Sequence, residues 1–534
     1  RPMVSLAILP PPQQLQLDGR SVPRPATVVA SAGADEVRRR VEQALGPAAD
    51  EHGSAIRLVV DPAGLRGPQS YRLELTPEEV VVAGADAAGL FYGGCTLIQL
   101  LRLHPAELPG LHIEDWPDYP RRAVMLDVSR DRVPTVETLR GLVELLASWK
   151  VNQLQLYLEH TFAYRGHEAV WRGASPLTPD EIRELDALCR ERHVELVPNQ
   201  NSFGHLHRWL VHEPYRQLAE CPQGIVHPFS PEVEPYSLCP IDPGSLELLA
   251  DLYDQLLPCF TSRQLNVGLD ETLDLGLGRS RERCAEVGTG RVYLEFLQQI
   301  HRLVAERGRR MQFWGDIILS HPELVGELPA DAIALEWGYE ADHPFDAHAQ
   351  LFAEAGLELY LCPGTSSWNS IAGRPQNAVA NVAKAALCGQ AVDARGLLVA
   401  DWGDNGHLQP LPASFVGLLV GAAFAWNASA AKDPTALELE GLLDQHAFFD
   451  RAGVTGRALV ALGDAHQELG VPWRNGTLLF RLLITPGGFS PLRIPEGLTA
   501  EGLERALARI DEAMAPLDRA RRRRSAATRA ALGC

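Results

Sequence analysis

Apolar residues recur along this 534-residue chain in three successive regimes. Up to about residue 115, β-branched runs at 28–31 and 56–60 flank an arginine-rich stretch at 34–45 with helical apolar spacing. An alternating run at 71–75, a short apolar run at 80–82 and a helical pattern at 87–101 follow, in the order strand, hairpin, helix. From Arg121 onward, short apolar runs alternate with amphipathic stretches. The runs lie at 123–128, 154–158, 194–198, 265–269, 311–314, 333–337, 357–362 and 396–402. Between the first two, Leu139, Leu142, Val143 and Leu146 share one helical face. Thr178-Pro179-Asp180-Glu181 has the spacing of a capping box with proline in the first turn. Eight strand–helix alternations in about 310 residues predict a (β/α)8 barrel, with a doubly wound open sheet as the alternative. Beyond residue 434 strand patterns cease, and helical ones occupy 459–469 and 500–530, the last carrying an arginine run at 519–524. The expected organisation is a small α/β domain at 1–117, a barrel at 118–433 and a helical region at 434–534.

Composition narrows the partners. Hydrophobic residues make up 46% and charged residues 22%, as in globular proteins. No apolar run reaches the ~18 residues of a membrane span. A net charge of −19 argues against nucleic acid and anionic membranes as partners. The nine cysteines include no CxxC pair, which disfavours zinc ribbons and redox motifs, and several fall inside apolar patterns as buried free thiols. With no charged-then-apolar signal segment, the expected compartment is the reducing cytoplasm. The glycine-rich GLFYGG at 89–94 lacks GxGxxG spacing and lies within a helical pattern, so close helix packing is the expectation.

A barrel enzyme draws its site from the C-terminal ends of its strands. The polar residues there are Asp127 and Arg130; Glu159 and His160; Asn199, Asn201, Gly204 and His205; and Asp270, Glu271, Thr272 and Asp274. They continue with Trp314 and Asp316; Glu336, Trp337 and Tyr339; Trp368 and Asn369; and Trp402 and Asp404. Arg122 stands at the start of the first strand. Carboxylates among flat indoles suit a sugar ring, which presents apolar C–H faces and a rim of hydroxyls. Two close acids also push their pKa values apart.

The motif NVGLDET at 266–272 resembles the Gly-x-Asp-Glu signature of glycoside hydrolase family 20, the β-N-acetylhexosaminidases. Supporting motifs follow the same chain order. RAVMLDVSR at 122–130 resembles the family's strand-one arginine motif, and VPNQNSFGH at 197–205 its Pro-Gly-His turn. FWGD and DWGD resemble its Trp-x-Asp/Glu strand ends, and the segment from Tyr71 to Leu101 resembles the small domain preceding its barrel. The departures resemble a divergent, hexosaminidase-D-like subgroup. Tyr157-Leu158-Glu159-His160 replaces His-Leu-Thr-Asp-Asp, Asn199 and Asn201 replace acids, and Leu269 replaces a glycine.

The resemblance implies an exo-acting, retaining enzyme that releases terminal β-linked N-acetylglucosamine or N-acetylgalactosamine without metal or cofactor. Family 20 is a recognised substrate-assisted exception to the two-carboxylate scheme: the 2-acetamido carbonyl attacks and forms an oxazolinium ion. Glu271 is then the acid/base and Asp270 the partner of the acetamido N–H. Arg122 holds sugar hydroxyls, Trp314, Trp337 and Trp402 wall the acetamido pocket, and Asp404 binds outer hydroxyls. His205 relays behind Glu271, with Glu159 as its candidate partner. Trp368, Asn369 and Tyr339 are candidates for the missing acetamido-binding tyrosine. Two rival readings stand beside this one: a metal-dependent hydrolase using His205-Leu206-His207, and a carbohydrate-binding barrel without chemistry.

Overall fold

The computed structural model describes residues 6–46, 54–226, 232–484 and 495–531, with side chains described to residue 521. The arginines of the 519–524 run beyond 521, and Cys534, lie outside the described side chains.

The N-terminal unit is a six-stranded mixed sheet in the spatial order Gln14–Pro23, Glu107–Asp115, Tyr71–Leu75, Val80–Gly84, Ala55–Val60, Thr27–Ala30. Helices Asp35–Leu45 and Ala87–Leu103 pack on it. The glycines of the second helix serve packing, as expected. A Cβ on Gly93 would lie 2.5 Å from Val82 Cγ1, and one on Gly89 would lie 2.1 Å from the Ser70 carbonyl oxygen. Two strands escape the sequence pattern, Gln14–Pro23 and its partner Glu107–Asp115. The first is exposed at nearly every position, so it has no core face to write an apolar alternation.

The second unit is a closed eight-stranded parallel barrel. Its strands are β1 (Arg121–Asp127), β2 (Gln153–Leu158), β3 (Glu195–Gln200), β4 (Gln264–Asn266), β5 (Arg310–Trp314), β6 (Ile333–Trp337), β7 (Glu358–Cys362) and β8 (Gly396–Asp401). Closure comes from β8 pairing with β1 over six residue pairs. The helix Val136–Ser148 buries Leu139, Leu142, Val143 and Leu146. Thr178 and Glu181 form the reciprocal capping box, with Pro179 opening the helix Pro179–Glu191. The eight expected apolar runs coincide with these strands, except that β4 ends at Asn266, because Gly268 and Leu269 turn to φ 73° and 76°.

The barrel interior is not wholly apolar. Below the site, Gln155 donates to Gln312 (2.7 Å) and accepts from Asn199 (3.0 Å) and Asn266 (2.9 Å). Amides both donate and accept, so these side chains link to one another across the barrel interior. Beyond β8 the described residues form no strand, and the helix Thr455–Asp464 packs against Ala500–Ala531.

Candidate active site

At the C-terminal ends of the strands lies a cavity of about 590 Å³, lined by Arg130, His205, Asp270, Glu271, Trp314, Trp337, Tyr339, Trp368, Asn369, Trp402 and Asp404 among others. Its geometry begins where β4 leaves the sheet. Leu269 (φ 76°) and Glu271 (φ 49°) are left-handed, as is the facing His205 (φ 56°). Such conformations cost on the order of 1 kcal/mol each and persist only where the surroundings hold them. Here Gly204 lets the two turns touch, since a Cβ on it would lie 2.5 Å from the Asp270 carbonyl oxygen. That contact aims His205 directly at the acid pair: its Nε2 lies 3.3 Å from Asp270 Oδ2 and 3.1 Å from Glu271 Oε2.

Both acids are held from behind as well. Asn201 Nδ2 donates to Asp270 Oδ1 at 3.0 Å, an amide where a carboxylate would repel it. Asp316 Oδ2 accepts the Glu271 backbone N–H at 3.0 Å, while its Oδ1 accepts Trp337 Nε1 at 3.1 Å. Burial pulls the His205 pKa down, but the charge and hydrogen bond of Asp270 and the hydrogen bond of Glu271 outweigh it and carry the imidazole up to about 10. Burial raises Asp270, yet the neighbouring imidazolium leaves it below the ordinary aspartate value. Burial and the Asp270 charge together push Asp316 up to about 7. The raised carboxyl beside the pair is thus Asp316, a residue whose sequence context placed it only at a strand end. On its other side His205 Nδ1 meets the Tyr236 hydroxyl at 3.0 Å and Arg130 at 3.4 Å. Glu159 does not supply the expected partner to this imidazole.

Two of the expected substrate contacts are corrected by the fold. Arg122 lies at the opposite end of β1, 1% exposed, where it donates to the carbonyls of Lys150 (2.7 Å) and Tyr119 (2.9 Å) and to Gln69 (2.9 Å). The strand length alone carries it away: eight residues separate it from the residue that does reach the cavity, Arg130. The guanidinium of Arg130 sits over the rings of Trp402 (4.8 Å) and Tyr157 (5.0 Å), with Asp127 at 3.0 Å and Glu159 at 3.3 Å. Glu159 is the second correction. It is buried behind Arg130, accepts the Tyr157 hydroxyl at 2.9 Å and does not line the cavity. Asp127 completes the clasp. Besides the guanidinium it accepts the backbone N–H groups of Ser129, Arg130 and, across the barrel closure, Gly403.

Trp314, Trp337, Tyr339, Trp368 and Trp402 line one cavity. Trp337 stacks on Tyr339 (centroids 5.1 Å apart), Tyr339 meets Trp368 edge-on (5.0 Å), and Trp402 lies beside Trp314 (6.2 Å). Among the three tyrosine substitutes, two are already committed. Trp368 Nε1 donates to Asn475 Oδ1 at 2.7 Å, and Asn369 is held by Asn475 and Asn405. The Tyr339 hydroxyl accepts from Trp402 Nε1 at 2.8 Å, which leaves its own proton to donate. Trp314 Nε1, buried on the same wall, has no hydrogen-bond partner among the described residues. Asp404 lines the cavity with its carboxyl raised by burial against the opposing pull of Arg130.

Sequence reasoning missed Asn475 and Arg481, which reach the cavity from the C-terminal region, and Tyr236, Glu232 and Glu234 from the chain between β3 and β4. Only the Asn475-Gly476 turn left any local signal. The rival metal reading would need a different donor set. His207 lines the cavity, but the three donors that converge within 4.8 Å are His205, Asp270 and Glu271, so the acid pair itself supplies the further ligands.

Comparison with known proteins agrees in both units. Residues 5–116 match the glycosyl hydrolase family 20 domain 2, and residues 119–371 match the family's catalytic domain. A beta-hexosaminidase of Porphyromonas gingivalis is 25% identical over 345 residues, covering 58% of this chain and 43% of the relative. One from Akkermansia muciniphila is 27% identical over 284 residues (47% and 57%), and human hexosaminidase D is 27% identical over 239 residues (43% and 46%). The chain therefore spans about half the length of these relatives. Among solved structures, the exo beta-N-acetylglucosaminidase of Vibrio harveyi superposes with a TM-score of 0.67 at 18% identity, covering 82% of this chain and 77% of that one. The N-acetyl-beta-hexosaminidase of Streptomyces plicatus gives 0.64 at 23% identity (84% and 95%). Two matches in tandem, spanning well over half of the chain and meeting at the start of a barrel whose acid pair closes the NVGLDET motif, make it a member of glycosyl hydrolase family 20.

Proposed function

We propose that this chain is an exo-acting, retaining β-N-acetylhexosaminidase that removes terminal β-linked N-acetylglucosamine or N-acetylgalactosamine through an oxazolinium ion. The observation that carries the reading is the shared imidazole: Asp270 and Glu271 both face His205 Nε2 at the mouth of an aromatic-walled cavity. In this scheme the substrate's acetamido oxygen attacks the anomeric carbon. The anomeric–leaving-oxygen bond breaks as Glu271 donates its proton to that oxygen. Asp270, kept anionic by His205, accepts the acetamido N–H and stabilises the positive charge that develops on the bicyclic intermediate. Tyr339 donates to the acetamido oxygen within the wall of Trp314, Trp337 and Trp402. Arg130, with Asp404, fixes the outer hydroxyls through its planar fork. Water activated by Glu271 then opens the intermediate with retention. The catalytic unit is the barrel of residues 118–433, with the segment around Asn475 closing one side. Eight free cysteines among the described residues suit a reducing, cytoplasmic setting, and no described helix is long and apolar enough to cross a membrane.

The test is hydrolysis of paired aryl β-glycosides that differ only at carbon 2, with a chelator present. Rapid cleavage of the 2-acetamido sugar with an inert 2-hydroxy sugar is expected, because only the former carries its nucleophile. Equal cleavage of both, or a sugar trapped covalently on an aspartate or glutamate, would overturn the mechanism. Loss of activity with chelator would favour an ion on His205, Asp270 and Glu271.

A further inference from the structure

A second group of donors lies on the outside of the barrel, unused by the chemistry above. Residues along β6 alternate between two faces. Ile333, Leu335 and Trp337 join the interior aromatic cluster, while Ala334 packs into the core outside it. Glu336 shares the outward face with Ala334, which places a fully buried carboxylate where the barrel meets its helical layer. Isolated charges are not stable in such a position unless something pairs with them.

Two imidazoles converge on it. His343 Nε2 lies 2.7 Å and His348 Nδ1 2.8 Å from the same atom, Glu336 Oε1. The second oxygen, Oε2, is buried with no hydrogen-bond partner among the described residues. The two rings meet edge-on, with centroids 5.2 Å apart at 78°, so their nitrogens approach from different directions. His343 is seated by its backbone neighbour: a Cβ on Gly338 would lie 2.1 Å from the His343 ring. His348 comes from the helix Phe345–Glu354 and its side chain is about one-third exposed, leaving a route from solvent. All three donors fall within 4.8 Å of one another.

We propose that Glu336, His343 and His348 form a binding site for a divalent cation of the zinc class, remote from the catalytic acids. Two imidazoles and a carboxylate are a donor set that such borderline ions favour over magnesium or calcium. A tetrahedral ion with bonds of ~2.0–2.1 Å separates its ligands by about 3.3 Å, so each nitrogen need move only about half an ångström from Glu336 Oε1. The unpartnered Oε2 becomes the second oxygen of the ligating carboxylate, and water from the open side completes the shell. The ion ties the end of β6 to the helix Phe345–Glu354, one residue from the Trp337 that holds Asp316. This inference does not depend on the hydrolase reading.

The full-length chain, stripped with chelator, is titrated with zinc near neutral pH by calorimetry, and cobalt is substituted to read ligand-field absorption. One zinc per chain is expected, with His343→Ala and His348→Ala each weakening it by about a hundredfold or more. Zinc should raise the melting temperature of the wild type and of His205→Ala, but not of His343→Ala/His348→Ala. Far-UV circular dichroism verifies that these variants fold, and the near-isosteric Glu336→Gln repeats the test without altering volume. No binding by the wild type at submillimolar zinc overturns the proposal. So does an unchanged titration in the double histidine variant, or binding that is lost in His205→Ala and therefore belongs to the acid pair.

Discussion

Arg122 and Arg130 stand at opposite ends of one strand, and each lies over a tryptophan, Trp426 at one end and Trp402 at the other. Their partners differ in kind. Arg122 spends its fork on backbone carbonyls and the amide of Gln69, sealed between the barrel floor and the N-terminal sheet. Arg130 is gripped by two carboxylates, Asp127 and Glu159, and keeps a side open to the cavity. Carbonyls satisfy a guanidinium's hydrogens but do not neutralise its charge, so burying it there carries a desolvation cost that its other contacts must offset. Carboxylates fix the fork's direction while leaving outer N–H groups for a ligand. A buried arginine in a family motif is thus assigned by what it donates to.

The contrast predicts that the top face loses rate and keeps stability, while the floor does the reverse. The largest effect belongs to Glu271→Gln, which should lower kcat about a thousandfold with little change in KM, because an amide cannot deliver a proton. The deficit should shrink for aryl leaving groups of low pKa, and equal losses across a leaving-group series would remove Glu271 from the acid role. Arg130→Lys should cost about a hundredfold in kcat/KM and leave the melting temperature nearly unchanged. Its counterpart Arg122→Met should reduce unfolding free energy by about 3 kcal/mol, by stranding buried carbonyls, while the folded fraction keeps its kcat. Steady-state kinetics paired with urea unfolding checks both. A kinetic defect in Arg122→Met without destabilisation would dissolve the comparison. Tyr339→Phe is expected to lower kcat/KM about tenfold, the loss of one hydrogen bond, and full activity would return the acetamido contact to Trp314.

The mildest prediction concerns pH. The folded-state pKa of His205 lies above its unfolded value, so its contribution to stability is fully present below about 6.5 and is lost as pH rises through about 10. Asp270 is shifted the other way, so its contribution is present above its unfolded value and is lost on acidification. Denaturant midpoints should therefore fall between neutral and alkaline pH in the wild type, and that slope should flatten in His205→Gln. A wild-type midpoint constant over this range would mean that the imidazole is not charged against the acid pair.

The barrel was legible because parallel strands buried on both faces read as apolar runs, and each was followed by a helix with a single apolar stripe. The acid pair, the indoles and His205 were legible because strand ends concentrate polar residues that a core would not tolerate. What escaped had no such local mark. Strand Gln14–Pro23 is solvated on both faces, so nothing constrains its pattern. Asn475 reaches Trp368 across more than a hundred residues, a contact that no window of sequence contains. The exchange of Arg122 for Arg130 has a different origin. Both fit the motif, and only the polarity of the strand, with the site at its C-terminal end, separates them.

The Asp127 clasp bears on how the protein comes into being. One carboxylate, at the end of the first barrel strand, receives the N–H of Gly403 just past the last. The arginine it orients is translated early, yet its seat is finished only when the eighth strand closes the ring. A nascent chain that stops short of Gly403 carries both acids and most of the tryptophans, but the carboxylate that orients its arginine lacks one of the bonds that hold it. The seat of that arginine is therefore complete only once the barrel closes.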